Sequence, residues 1–304
     1  MLVTMIPLLN DAKKNRYCVC APNWFDLYAL KSAVEVAEEN NAPMVLDIAR
    51  LKEETDEEFN IKAKIAAKYA REASVPIALN LDHGSDYEYI VNAISSDCSS
   101  VMCDRSAETY EDNVEQVAEI VKIAHAVGKS VEAELGHVGI NVGSEDNESS
   151  GALPQRTTME SEEDKRKNYT NIDQAIDYVK KTNVDALAVA VGTVHGLYPK
   201  GFKPSLDFEL LKELDEAIDI PLVLHGGSGT GEEALAKAAT MGMSKVNIGS
   251  DLIKEGAIYM GKYSDEHPDA STEELMKEYY KGYKARLSNY IKVLGAAGKA
   301  DNFR

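Results

Sequence analysis

Eight short apolar runs, rich in β-branched residues, recur along this 304-residue chain, each separated from the next by a longer polar or amphipathic stretch. No other feature restricts the possible folds as much. The strand candidates are Tyr17–Ala21, Pro43–Ile48, Ile77–Leu81, Ser100–Cys103, Ser130–Leu135, Ala186–Val191, Pro221–Leu224 and Lys245–Ile248. Helical patterns lie between them, at Asp26–Glu39, Asp56–Ala73, Glu108–Val127, Asn171–Lys181, Asp207–Ile218 and Glu232–Met241. Strands that are apolar nearly throughout belong in a parallel sheet covered on both faces. Eight β/α units in a chain of this length predict a (β/α)8 TIM barrel in preference to a doubly wound sheet.

No Pro/Gly/Ser-rich linker divides the chain, so residues 1–304 are read as a single barrel domain. One stretch breaks the pattern. Residues 139–168 are polar and turn-rich, and a loop of that length after strand five predicts a functional role. At the far end, residues 270–297 carry Leu275, Met276, Tyr279, Tyr280, Tyr283, Leu287, Tyr290, Ile291 and Leu294 at three- and four-residue steps. That periodicity predicts an extra C-terminal helix, docked on its own barrel or shared with a second subunit.

Charge narrows the range of partners. The chain has 33 basic and 51 acidic side chains, a net −18, with no local basic stripe. Such a surface repels phosphate backbones, so nucleic acid is not an expected partner. No run of about 18 apolar residues exists, so no membrane span is expected. The opening MLVTMIPLLNDAKK has no basic region ahead of its apolar stretch. Cys18, Cys20, Cys98 and Cys103 are too few and too oddly spaced for a disulfide framework. A reduced, cytoplasmic chain is the expectation.

Barrel enzymes carry their site at the C-terminal strand ends. There the sequence places Asp82 and His83, then Glu132, Glu134 and His137, then His195, His225, Asn247, Ser250 and Asp251. His83, His195 and His225 are three of six histidines in the chain, each just past a different strand. One loop histidine means little, but three imidazoles converging on one face suit Zn2+ or a similar divalent ion. Glu134 is either a further oxygen ligand or a carboxylate that orients a histidine, and Glu132 is the alternate one layer lower. Asp82 is either a general acid/base or a partner of a metal histidine. HGGSG (225–229) and NIGSD (247–251) follow strands seven and eight and open helices, the usual phosphate site of this fold.

Taken together, LDHGS (81–85), VEAELG (131–136), DALAVAVGTVHGLY (185–198), PLVLHGGSG (221–229) and KVNIGSDL (245–252) resemble the class II ketose-bisphosphate aldolases, in order and at barrel spacing. That family contains the fructose- and tagatose-1,6-bisphosphate aldolases. The resemblance implies a metal-dependent barrel that splits a ketose phosphate into dihydroxyacetone phosphate and an aldehyde. It implies Zn2+ on His83, His195 and His225, with Glu134 ligating or supporting the ion. Asp82 would exchange the proton of the C4 oxygen. Gly196, Gly227, Ser228, Asn247, Gly249 and Ser250 would hold dihydroxyacetone phosphate, with Na+ or K+ near the phosphate. Glu145, in GSED, would take the C3 proton, with Asp146 and Glu148 as alternates. The resemblance also implies a homodimer or homotetramer.

The chemistry agrees with that picture. Aldol cleavage leaves negative charge on oxygen, which a divalent cation stabilises as a Lewis acid. No lysine is read at a mouth-side strand end to form a Schiff base, since Lys245 opens its strand at the opposite end. Three departures fall around the expected substrate. ELGHVGINVGSED is three residues longer than the family's loop, Asp47 replaces a common Gln, and Ala107 replaces a His. Arg50, Arg105, Arg156, Arg166 and Arg286 are the candidates for a distal phosphate. Fructose 1,6-bisphosphate is the default substrate, with tagatose 1,6-bisphosphate or another ketose 1-phosphate as the alternative. A metal-dependent sugar-phosphate epimerase and a non-catalytic sugar-phosphate-binding protein are the remaining readings.

Overall fold

The computed structural model describes residues 1–51, 53–136, 138, 167–194 and 204–304. Its eight strands are β1 (Val19–Pro22), β2 (Met44–Ala49), β3 (Ile77–Gly84), β4 (Ser100–Cys103), β5 (Ser130–Leu135), β6 (Ala186–Val189), β7 (Leu222–Leu224) and β8 (Met243–Ile248). Each pairs in parallel with the next, and β8 closes on β1 through Val19↔Lys245 to Pro22↔Ile248. The fold is the (β/α)8 barrel that the alternation predicts.

The helices are α1 (Met5–Asn15), α2 (Leu27–Glu39), α3 (Asp56–Glu72), α4 (Tyr87–Ser95), α5 (Tyr110–Ala126), α6 (Ile172–Thr182), α7 (Phe208–Ala217), α8 (Glu232–Thr240), α9 (Ser250–Glu266) and α10 (Thr272–Val293). Most begin on a side chain that caps the first turn, such as Asp26, Thr55, Asp86, Thr109, Asn171 and Asp207. The sequence reading did not pick out α1 or α4. Helix α1 closes the N-terminal end of the barrel. It buries Met5, Leu8, Leu9 and Ala12, and the Met5 N–H donates to Ser100 Oγ (3.0 Å) and Ser130 Oγ (3.2 Å) at the starts of β4 and β5. Helix α10 buries Tyr283, Leu287, Tyr290 and Ile291, and Tyr283 Oη donates to the Asn23 carbonyl (3.0 Å), so this part of the Tyr stripe docks on its own barrel.

Strand alternation sorts the polar residues. Leu79, Leu81, Val131, Ala133 and Val246 are the apolar half of their strands, facing the helices. The other half includes Asp47, Asn80, Asp82, Glu132, Glu134, Lys245 and Asn247, all buried. Alanines stand in register with three of them: Ala21 beside Asn247, Ala186 beside Glu132 and Ala188 beside Glu134. The barrel axis is therefore a packed polar column that opens at the C-terminal strand ends.

Candidate active site

The chain turns sharply where β3 ends. His83 has φ 48°, a left-handed conformation unusual for a residue with a Cβ, and the pairing of β3 with β4 shifts register between Leu81 and Gly84. Such a conformation costs on the order of 1–3 kcal/mol and persists only where its surroundings impose it. It lets Asp82 and His83, adjacent in sequence, both reach the mouth.

Two imidazoles meet there. His83 Nε2 and His225 Nδ1 lie 2.9 Å apart. The opposite nitrogen of each ring is held by a carboxylate, His83 Nδ1 by Asp104 Oδ2 (2.8 Å) and His225 Nε2 by Glu132 Oε1 (2.8 Å). An ionised carboxylate only accepts, so each ring spends its N–H on it. In neutral rings the facing nitrogens then both present lone pairs. That geometry repels unless a cation or a proton sits with them. Carboxylate–histidine pairs of this kind hold imidazoles for a metal ion. The ligand atoms of Asp82, His83 and His225 fall within 4.8 Å of one another, as do those of His83, Asp104 and Glu134. Glu134 Oε1 accepts the Val138 N–H (3.1 Å), while buried Oε2 has no hydrogen-bond partner among the described residues. The donor set therefore fits a divalent ion with mixed N and O ligands.

The local charge points the same way. Asp47, Asp82, Asp104, Glu132 and Glu134 gather around the upper barrel axis, and Lys245 is the one lysine or arginine among the described residues that pairs with them. Burial pulls His83 down, but Asp82, then Asp104 and Glu134, outweigh it and raise the ring to about 10. Burial, reinforced by Asp104, pushes Glu134 up to about 8. Burial also raises Asp82, yet the charges of His83, His225 and Lys245 and the Asn23 hydrogen bond hold it below the ordinary carboxylate range. The cluster is short of positive charge.

Asp82 is fixed from two sides. Its Oδ2 accepts from Asn23 Nδ2 (2.8 Å) and its Oδ1 from Asn247 Nδ2 (3.0 Å). Its Oδ1 lies 3.9 Å from His83 Nε2. The candidate phosphate loops converge beside it. Ser228 Oγ accepts the N–H groups of Gly249 (3.2 Å) and Asp251 (3.3 Å) at the start of α9, and the Gly227 N–H donates to the Asn247 carbonyl (3.2 Å). A Cβ at Gly227 would sit 2.5 Å from Val246 Cγ1 and 2.7 Å from the Asn247 carbonyl, so only glycine lets the loops approach this closely. Ser250 is the first residue of α9.

The structure thus brings together Asp82, His83, His225, Glu134, Gly227, Ser228, Asn247, Gly249 and Ser250. His195, Gly196, Glu145, Asp146, Glu148, His137, Arg156 and Arg166 lie outside the described residues. Of the other arginines, Arg105 is buried against the Ser85 carbonyl and Gln116, Arg50 is held by the Glu54 carbonyl and the Tyr89 ring, and Arg286 pairs with Glu232. One expectation needs correction. Lys245 does not open its strand: β8 begins at Met243, and Lys245 lies fully buried within the barrel, two residues below Asn247. Glu132, the alternate one layer lower, is the carboxylate that holds His225. The sequence reading also passed over Asn23 and Asp104. Both follow directly on strand ends, the signal that located the other site residues.

Carboxylate-backed histidines at a barrel mouth, with paired glycine loops beside them, suit a metal ion and a phosphate group. Residues 3–299 match the family model described as fructose-bisphosphate aldolase class-II. The chain belongs to the class II fructose-bisphosphate aldolase family and is a lyase. It is 33% identical to the YdjI protein of Escherichia coli K12 over 96% of this chain and 97% of that one. It is 35% identical to the fructose-bisphosphate aldolase of Staphylococcus epidermidis over 82% of each chain. The crystal structure of the YdjI aldolase covers 99% of this chain and 100% of its own, with a TM-score of 0.82 at 30% identity. Enzymes of this family generally use a metal ion, and family membership favours neither the epimerase nor the non-catalytic reading.

Proposed function

We propose that this chain is a zinc-dependent aldolase that reversibly cleaves fructose 1,6-bisphosphate to dihydroxyacetone phosphate and glyceraldehyde 3-phosphate. The observation that carries the metal reading is the pair of imidazole nitrogens facing each other at 2.9 Å, each ring backed by a carboxylate. His83, His225 and His195 hold the ion, with Glu134 as an oxygen ligand or support. When bound, Zn2+ supplies the Lewis acid that stabilises the negative charge cleavage leaves on oxygen. Asp82, oriented by Asn23 and Asn247, moves the proton at the C4 oxygen. Gly196, Gly227, Ser228, Asn247, Gly249 and Ser250 hold the phosphate of the dihydroxyacetone half at the α9 N-terminus, with Na+ or K+ nearby. Glu145 takes the C3 proton.

Four free, buried thiols fit a reducing compartment such as the cytoplasm. Tyr28 and Tyr280 (ring centroids 5.6 Å apart), with exposed Phe25 and Met276, suit an interface with a second copy.

The test is triose-phosphate release from fructose and tagatose 1,6-bisphosphates, after EDTA treatment and again after Zn2+ is restored. Release from the fructose ester that EDTA abolishes and zinc recovers is the expected result. Release from the tagatose ester alone would move the substrate, and EDTA-insensitive release would overturn the metal reading.

A further inference from the structure

Beneath the proposed metal centre lies a charge array that the reaction as described does not use. Lys245 Nζ donates to Glu132 Oε2 (2.9 Å) and pairs with Asp47 Oδ2 (3.3 Å), and all three side chains are fully buried. Asp47 Oδ1 accepts from Asn80 Nδ2 (2.9 Å). Glu132 Oε1 takes the Nε2–H of His225, whose Nδ1 faces His83. A continuous line therefore runs from Asn80 through Asp47, Lys245 and Glu132 to an imidazole at the mouth.

We propose that Lys245, with Asp47 as its counter-ion, is a positioning residue that fixes Glu132 and, through it, the ring of His225 for metal binding. The inference rests on the metal reading above. The physical reason is rotational. A glutamate carboxylate turns readily about its last bond. Lys245 occupies Oε2, which leaves Oε1 one bearing, toward His225. The imidazole can then rotate only by breaking its bond to an anchored acceptor. Lys245 cannot itself be left unpaired in the barrel, because an isolated buried ammonium is costly. Glu132 alone would be shared between it and His225. Asp47 supplies the second negative partner, and Asn80 holds Asp47 in turn. This also gives a use to the acid that stands where relatives often carry glutamine. Asp47 is directed at the lysine below the site, so it need not repel an anionic substrate group.

The experiment compares wild type with the double variant Lys245→Met/Asp47→Asn, which exchanges a neutral pair of charges for a pair of neutral side chains. Metal-free protein is titrated with Zn2+ in competition with a chromophoric chelator, and the melting temperature of the metal-free form is followed in parallel. The expected result is a cooperative melt with a zinc dissociation constant raised about 10- to 100-fold, as for loss of other partners behind metal histidines. Co2+ in place of zinc should show shifted visible absorption bands, because the His225 ligand is no longer held in one orientation. A purely structural role would lower the melting temperature and leave both metal readouts unchanged, as Asp215→Ala, outside the barrel axis, should do; that outcome for the double variant overturns the proposal. If that variant does not fold, Lys245→Leu/Asp47→Asn removes the same donor with a different apolar shape and carries the same comparison. Wild type that binds no zinc would instead overturn the functional reading itself.

Discussion

Replacing Asp104 with alanine isolates what the carboxylate behind His83 contributes. Asp104 Oδ2 holds His83 Nδ1 at 2.8 Å, and Oδ1 accepts from the Ser106 N–H (3.0 Å) and Oγ (2.8 Å). Losing the histidine's partner is expected to weaken metal binding about 10- to 100-fold, roughly 1.4–2.7 kcal/mol. A second effect opposes the first. Asp104 is one of the groups that raise His83 to about 10, so near neutral pH an incoming ion displaces a tightly held proton. Without Asp104 that proton is held less firmly, and part of the loss is recovered. The deficit should therefore be larger at about pH 9 than at about pH 7, because the proton weighs less there. The local turn at Ser106 costs about 1 kcal/mol, too little to unfold a barrel of this size. Chelator competition on metal-free protein at the two pH values measures both terms. Unchanged zinc affinity at both would refute the reasoning, since His83 would then need no partner to bind the ion.

Asp82→Ala should keep zinc and lose turnover by roughly 10²–10⁴-fold, because Asn23 and Asn247 orient a carboxylate that only the reaction needs; steady-state rates beside metal analysis check it. Metal-free protein should lose melting temperature as pH rises from about 5 toward 10. Glu134 and His83 have folded-state values raised to about 8 and 10, so each stabilises the protonated fold and gives that up as pH climbs through its own value. The lowered acids Asp82, Asp104 and Glu132 have completed their contribution by about pH 5, above the ordinary carboxylate range. Zinc-loaded protein should show a flatter curve by calorimetry. Gly227→Ala places a Cβ against Val246 and the Asn247 carbonyl, and should cost about 1–3 kcal/mol of stability while raising KM more than it lowers kcat. Tyr290→Phe removes the hydroxyl that donates to Asp251, the residue that also accepts the Gly229 N–H, and a loss of about 1 kcal/mol should raise KM about five-fold with kcat nearly unchanged.

Much of this was legible because barrels separate their signals. Strand periodicity located the eight strands within a few residues, and the strand-end rule then placed Asp82, His83, His225 and Asn247 on one face. What stayed hidden has two physical causes. Helix α1 is short and opens with mixed apolar sequence, and it is held by serine hydroxyls on β4 and β5, which no local pattern announces. Lys245 was misplaced because β8 begins two residues earlier than its apolar run. Met243 pairs with Leu222 of the neighbouring strand and Ser244 falls at a shift of register before Lys245, a long-range effect that propensity does not carry. Asp104 and Glu132 were visible as residues, but their roles depend on which imidazole nitrogen each one meets.

The polar barrel axis explains why these roles travel together. Burying five carboxyl groups near one axis is expensive unless each is paired or protonated. Lys245 answers for Asp47 and Glu132, the asparagines at 23, 80 and 247 supply donors, and the two histidines donate ring N–H groups to Asp104 and Glu132. That accounting leaves one deficit, at the mouth, where His83 is driven toward its cation and Glu134 toward its acid form. A divalent ion held by His83 and Glu134 would relieve both at once, since the ring would bind it as the neutral form and the carboxylate would gain a partner. The same charges that make the metal-free barrel less stable at high pH are therefore those that draw the ion in. Any substitution that neutralises one of them should trade metal affinity against metal-free stability, whereas a substitution in the phosphate loops should leave metal affinity unchanged.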